Sequence, residues 1–265
     1  VKDPVALVAA QPGPHPGIAV PRHIYGPARD NPAGRDMSQA TVRTAHQQAV
    51  AAQAAQRPVA GPIIGGVLAA DGATPLTSPA NTGQTIGSVA STTPAQIDDA
   101  VLRACAAQPA WDRCGGPARA QVLRAMGDAL EGEADRLIAL LTLEAGKTFN
   151  DAVAELREAV DFCRYYALLA EREFGPPQPL TGPVGESNQW QLFGRGIFAC
   201  ISPWNFPLAI FTGQIAAALA AGNAVLAKPA EQTPLIAALA VELLHAGGIP
   251  AAALAFLPGD GRMKR

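Results

Sequence analysis

Apolar positions change their period along the chain, and the changes mark out three stretches. Residues 1–37 show no sustained period and are rich in Pro and Gly. They read as an extended arm or linker. Ser38 to Gln56 predicts a helix of Ala and Gln, ended by Pro58, with a polar face and little to bury. From 58 to 93, scattered β-branched residues between Gly and Pro suggest short strands and turns.

The helical period is strongest from 93 to 175. Thr93 caps a helix with Pro94 at its first position, running to about Ala107. Pro117 opens a second to about Glu144, with Leu123, Leu130, Leu137, Ile138 and Leu141 as its apolar stripe, and Gly146 ends it. Asn150 caps a third, with Val153, Leu156, Val160 and Cys163 at helical spacing, closing near Phe174-Gly175-Pro176. Gln189 to Phe193 forms a short exposed strand ended by Gly194.

From Gly196 the pattern is βαβαβ. Strand Gly196–Ile201 leads to a helix from about Pro207 to Ala220. Strand Ala224–Ala227 follows the helix stop Gly222-Asn223. Thr233-Pro234 opens a helix to about Ala246, Gly247-Gly248 ends it, and Ala253–Leu257 is a third strand. Alternation of this kind predicts an α/β chain with a parallel sheet and right-handed crossovers. The expected division is an arm over 1–57 and a partial nucleotide-binding domain over 58–265.

Charge and composition narrow the function. Hydrophobic residues are 49% of the 265, the net charge is −2, and Lys and Arg are scattered. That argues against an electrostatic nucleic-acid or membrane surface. No charge occurs between Arg195 and Lys228, long enough to suggest a membrane span. Pro203, Asn205, Pro207, Gln214 and Gly222-Asn223 interrupt it, and buried parallel strands explain it better. The four cysteines, Cys105, Cys114, Cys163 and Cys200, form no C-x-x-C pair, so neither a metal site nor a disulfide framework is expected. No signal peptide opens the chain, and the cytoplasm is the expected compartment. Its first residue is Val, so a fragment boundary is expected there.

Candidate chemistry sits after the first two of these strands. Ile201-Ser202-Pro203-Trp204-Asn205-Phe206-Pro207 joins strand to helix, and Lys228-Pro229-Ala230-Glu231-Gln232-Thr233-Pro234 follows the next strand. Dinucleotides need a helix N-terminus for the pyrophosphate and polar groups for the ribose. The helix after Asn205 and the pair Lys228/Glu231 match those needs, although G-x-G-x-x-G is absent. Taken singly, Lys228 and Glu231 are an ordinary solvated pair, Asn205 a helix cap and Trp204 a packing residue.

The order and spacing of these two segments resemble the aldehyde dehydrogenase superfamily. Glu144-Ala145-Gly146-Lys147 and Trp111 resemble it too. Upstream, Pro21-Arg22-His23-Ile24-Tyr25-Gly26-Pro27 and Arg29-Asp30-Asn31 are similar to the segment before the dehydrogenase module of bifunctional proline utilization A enzymes. The resemblance implies the N-terminal half of an aldehyde dehydrogenase fold, a helical layer plus a partial Rossmann-like sheet. It implies NAD as cofactor, with FAD confined to the proline dehydrogenase module of a bifunctional parent. The implied substrate is L-glutamate γ-semialdehyde.

Residue by residue, the resemblance makes Asn205 the oxyanion-hole donor to a tetrahedral thiohemiacetal. Ile201, Ser202, Pro203 and Trp204 would line the cofactor cleft, and Lys228 and Glu231 would take the adenosine ribose. Gly259 and Gly261 would admit backbone to the adenosine side, and Phe206 would sit near the aldehyde tunnel. The region around Gln189–Gly194 resembles an oligomerisation hairpin, so partners are the rest of the polypeptide and further copies. The family's nucleophile and general base would lie beyond Arg265, and none of the four cysteines matches the nucleophile motif. The chain alone is expected to be inactive, and its sheet to lack a neighbour for an apolar strand. The alternatives are another aldehyde dehydrogenase, a non-catalytic nucleotide-binding or assembly module or, weakest, a membrane-associated segment.

Overall fold

The computed structural model describes residues 3–10 and 13–260. A short helix α1 (Pro4–Ala10) and a 3-10 turn at Pro21–His23 stand where a wholly extended arm was expected. From Arg29 on, the arm lies against the helical layer. Arg29 stacks on Tyr25 at 3.6 Å and pairs with Asp161 at 2.9 Å, and the Ala33 amide donates to Glu131 at 2.6 Å. Helix α2 (Ala40–Gln56) follows, with His46 buried edge-on to Phe149.

Two sheets come next. Strands β1 (Val59–Ala60), β4 (Thr74–Ser78) and β5 (Asn81–Val89) make a small one in the order β1-β5-β4. Strands β2 (Ile63–Ile64) and β3 (Val67–Leu68) join the main one. Four helices then form a layer: α3 (Pro94–Arg113), α4 (Gly116–Gly132), α5 (Ala134–Glu144) and α6 (Phe149–Glu173).

The strand expected over Gln189–Phe193 runs from Asn188 to Trp190, the helix expected from Pro207 starts at Ala209, and the helical layer needs three further corrections. Helix α3 runs through Pro109 to Arg113, past the expected end at Ala107, because Trp111 is anchored in the core by its Nε1 donating to Leu219 O at 3.0 Å. The expected single helix over 117–144 is two, since Glu133 leaves helical geometry (φ −98, ψ 23) after the weak helix former Gly132. Helix α6 is capped by Thr148, whose side chain accepts from the Asp151 amide at 3.2 Å, rather than by Asn150. The Thr93 cap stands as read, closed into a reciprocal box with Gln96.

Strands β6 (Gln178–Leu180) and β7 (Asn188–Trp190) form an exposed antiparallel hairpin. Then come β8 (Ile197–Ile201), α7 (Ala209–Ala220), β9 (Ala224–Lys228), α8 (Pro234–Ala246) and β10 (Leu254–Phe256). Glycine at 222, with φ +84, ends α7 as the sequence implied. The main sheet has the order β3-β2-β10-β9-β8, with β8, β9 and β10 parallel. Alternation along the strands sorts the faces. Leu226, Ala255 and Leu257 pack with Ala100 of α3, while Val225, Ala227, Leu254 and Phe256 join the main core with α7 and α8. Helices α4, α5 and α6 cover α7 and α8 in turn, so closely that a Cβ on Gly213 would lie 2.9 Å from the Phe162 ring.

The edges of the main sheet are β3 and β8, each with one neighbour, and β8 is the parallel edge strand. The last strand, β10, is paired on both sides, by β9 and by β2 through Phe256 and Ile63. Phe198 and Ile201 of β8 are exposed. No helix among the described residues is long and apolar enough to cross a membrane, and the uncharged stretch is strand, turn, helix, turn and strand.

Candidate functional site

Parallel pairing puts the candidate residues on one edge. Ile201 is the register partner of Lys228, and Phe256 of Ala227, so the turns after β8, β9 and β10 open at the same carboxyl ends. The Ser202 amide donates to Lys228 O at 3.1 Å and ties the first two turns together. Ser202 is buried and Pro203 half-buried, while Trp204, Asn205 and Phe206 are exposed in the turn, Trp204 by 60%. Lys228 ends β9 half-buried with Nζ 3.0 Å from Pro229 O, and Glu231 is exposed in the following turn. Gly259 is buried just past β10, beside Pro258, whose carbonyl accepts from the Thr92 amide and hydroxyl, each at 2.8 Å. Gly261 lies outside the described residues.

Two buried carboxylates hold the helices behind these turns. Glu155 of α6 accepts the amides of Leu208 and Ala209 at 2.8 and 3.2 Å, at the start of α7. Its other oxygen lies 2.7 Å from Lys147 Nζ, and that ammonium sits 4.3 Å from the centre of the Phe206 ring. Glu144, at the end of α5, accepts the amides of Leu235 and Ile236 at 2.7 and 2.8 Å, at the start of α8. Among the described residues no charged partner offsets its burial, which pushes its carboxyl up to about 8 against the pull of the two amides. Thr233, expected as the cap of α8, makes no capping bond; its hydroxyl is buried without a hydrogen-bond partner among the described residues.

These caps overturn one sequence reading. Asn205 lies four residues before the first residue of α7, and the amides there that a pyrophosphate would use are bonded inside the protein to Glu155. The start of α8 is occupied in the same way. What remains at this edge is an ammonium and a carboxylate, Lys228 and Glu231, a donor and an acceptor of the kind a vicinal diol takes. Ile201 and Trp204 are exposed apolar residues on the neighbouring turn.

The opposite end of α7 is clamped too, by residues the sequence reading missed. Arg119 is fully buried; its Nε donates to Ala220 O at 2.9 Å and Nη1 to Asp112 O at 2.7 Å. Gln108 Nε2 donates to Gly222 O at 2.9 Å, and Asp112 accepts the Gly194 amide at 2.9 Å. The signal for Arg119 was its place four residues before Leu123, on the stripe itself.

Three of the four cysteines have surroundings that disfavour a thiolate. Burial pushes the Cys163 thiol up to about 12 and the Cys200 thiol up to about 11, the wrong direction for a thiolate. Burial also raises Cys114, and Cys105 is exposed on α3. Among the described residues no group of His, Cys, Asp and Glu could hold a metal ion.

Comparison with known proteins places these observations in a lineage. The model of the aldehyde dehydrogenase family matches residues 68–264. The bifunctional protein PutA of Escherichia coli is 43% identical over 270 residues, which is 98% of this chain and 19% of that protein. A 1-pyrroline-5-carboxylate dehydrogenase of Staphylococcus saprophyticus is 37% identical over 183 residues, 69% of this chain and 35% of that enzyme. The solved structure of 1-pyrroline-5-carboxylate dehydrogenase from Thermus with bound NAD superposes with a TM-score of 0.83 at 30% identity, over 88% of this chain and 45% of that one. The chain thus spans about a fifth of the length of the bifunctional relatives it matches.

Proposed function

The chain belongs to the aldehyde dehydrogenase family, and we propose from that premise that it is the N-terminal part of an NAD-dependent module oxidising L-glutamate γ-semialdehyde to L-glutamate in proline catabolism. The observation that carries this is the gathering of Ile201 to Phe206, Lys228 and Glu231 at one edge of a parallel sheet. Relatives named for PutA and for 1-pyrroline-5-carboxylate dehydrogenase support the substrate. A relative of known structure with bound NAD supports the cofactor.

In this reading Lys228 and Glu231 bind the adenosine ribose, donating to and accepting from its hydroxyls. Ile201, Ser202, Pro203 and Trp204 line the cleft between ribose and reacting carbon, and Gly259 and Gly261 admit backbone on the adenosine side. Bound there, NAD supplies the hydride acceptor. Asn205 directs its amide N–H at the oxygen of the aldehyde, where negative charge develops as a nucleophile adds to the carbonyl carbon, and Phe206 walls the approach. The pyrophosphate binds elsewhere than at α7 and α8, whose first amides are taken. The β6–β7 hairpin joins copies of the protein. The compartment is the cytoplasm, and FAD belongs to a separate proline-oxidising module of a bifunctional parent.

The test is NADH formation from NAD and L-glutamate γ-semialdehyde. The complete gene product turns over, and Asn205→Ala lowers kcat about 10²–10³-fold. The 265-residue chain alone gives no NADH, since none of its four cysteines stands in the family's nucleophile motif. A complete gene product inert toward this and other aldehydes would refute the proposal.

A further inference from the structure

We infer that Lys147 and Glu155 are positioning residues for Asn205, a strut that sets the turn of the oxyanion-hole donor from behind. The inference rests on the proposed role of Asn205. Glu155 is 1% exposed, and one of its oxygens accepts the amides of Leu208 and Ala209, three and four residues beyond Asn205. The other oxygen meets Lys147 Nζ at 2.7 Å, with the ammonium over the ring of Phe206, the residue adjoining Asn205. The turn is thus gripped at its helical end by two hydrogen bonds and at Phe206 by a cation–π contact. Both grips run through one ion pair whose side chains are 13% and 0% exposed.

Lys147 is itself fixed. Gly146 turns the chain at φ +65 after α5, the Lys147 amide returns to Leu141 O at 3.3 Å, and Thr148 caps α6 immediately after. The ammonium therefore cannot follow a drifting Phe206 by moving its own backbone. Asn205 is exposed; on its N-terminal side the turn is tied by the Ser202 amide to Lys228 O at 3.1 Å, and on its C-terminal side by the bonds to Glu155 and by the Phe206 carbonyl, which accepts the Ile210 amide at 3.2 Å. An amide donor is effective only when preorganised, and a misplacement of roughly 1 Å can cost about 100-fold. Lys228 and Glu231 stand on the turn before α8, which Glu144 holds instead. Loss of the strut should therefore damage the chemical step more than the affinity for NAD.

The experiment compares Lys147→Met, Lys147→Arg and Glu155→Asp. On the 265-residue chain, hydrogen exchange read by mass spectrometry is followed in peptides covering 204–210, with peptides over β9 and β10 as controls. In Lys147→Met the 204–210 amides should exchange at least tenfold faster while the controls hold, and Lys147→Arg should restore protection. In the complete gene product, Lys147→Met should lower kcat at least tenfold with KM for NAD within twofold, and Glu155→Asp should retain more activity than Lys147→Met. Unchanged exchange at 204–210, or equal acceleration in the controls, overturns the strut. So does a fall in NAD affinity that matches the fall in kcat. If the unmutated gene product oxidises no aldehyde, the reading of Asn205 fails while the exchange data still decide whether the strut holds the turn.

Discussion

Helices α7 and α8 begin alike, each with two backbone amides bonded to one buried glutamate from the α5–α6 corner. At α7 the carboxylate of Glu155 faces Lys147; at α8 that of Glu144 faces no ion-pair partner among the described residues. A buried carboxylate without a cation lowers its cost by taking up a proton, and Glu144 is raised to about 8. One corner thus serves two turns by two electrostatic routes. The ion pair stands behind the Asn205 turn, and the proton-taking acid stands behind the Lys228–Glu231 turn. Both routes close off a helix N-terminus that would otherwise attract phosphate.

Deleting one member of the ion pair should separate the two ends most. Glu155→Ala leaves a nearly buried ammonium and two orphaned amides, and should cost about 3–5 kcal/mol in urea unfolding. Glu144→Ala orphans two amides but no opposing charge, and should cost less, about 2–3 kcal/mol. Equal costs would mean that Lys147 adds nothing to the difference.

Acidity gives the next effect. The folded-state value for Glu144 is raised from 4.5 to about 8, so the native chain holds its proton more tightly than the unfolded chain. Stability should then fall as pH rises from about 4.5 to about 8, by at most about 1.4 kcal/mol per unit, and level off above. His46 and His245, both lowered by burial, tilt the profile the other way. Glu144→Gln isolates the glutamate: its difference from the unmutated chain should carry this slope, and a flat difference would contradict it. Smallest is the cap that Glu144 replaces. Thr233→Ala should change stability by less than about 0.5 kcal/mol, whereas Thr93→Ala, which removes a formed capping bond, should cost about 1 kcal/mol.

The sheet and its helices were legible because the apolar pattern and the Gly and Pro stops around β8 to β10 agree with each other. The gathering of Asn205, Lys228 and Glu231 at one edge followed from that pattern. What supports the edge was not read, although its trace is in the pattern. Glu155 stands on the stripe formed by Ala152, Val153, Leu156 and Ala159, and Glu144 follows Leu137, Leu140 and Leu141 at helical spacing. A charge on an apolar stripe needs a buried partner. Here the partners are amides more than fifty residues away, beyond what local periodicity can report. The run of α3 through Pro109 was missed for the same reason, since the packing of Trp111 overrode local preference.

The most direct test is a crystal structure of the complete gene product with NAD bound. The account predicts the adenosine ribose on Lys228 and Glu231, and the reactive end of the cofactor toward Asn205. It also predicts the pyrophosphate away from the amides of Leu208, Ala209, Leu235 and Ile236, with Glu155 and Glu144 still bonded to them. A pyrophosphate seated on either pair of amides with its glutamate displaced, or NAD bound away from this edge, would contradict it.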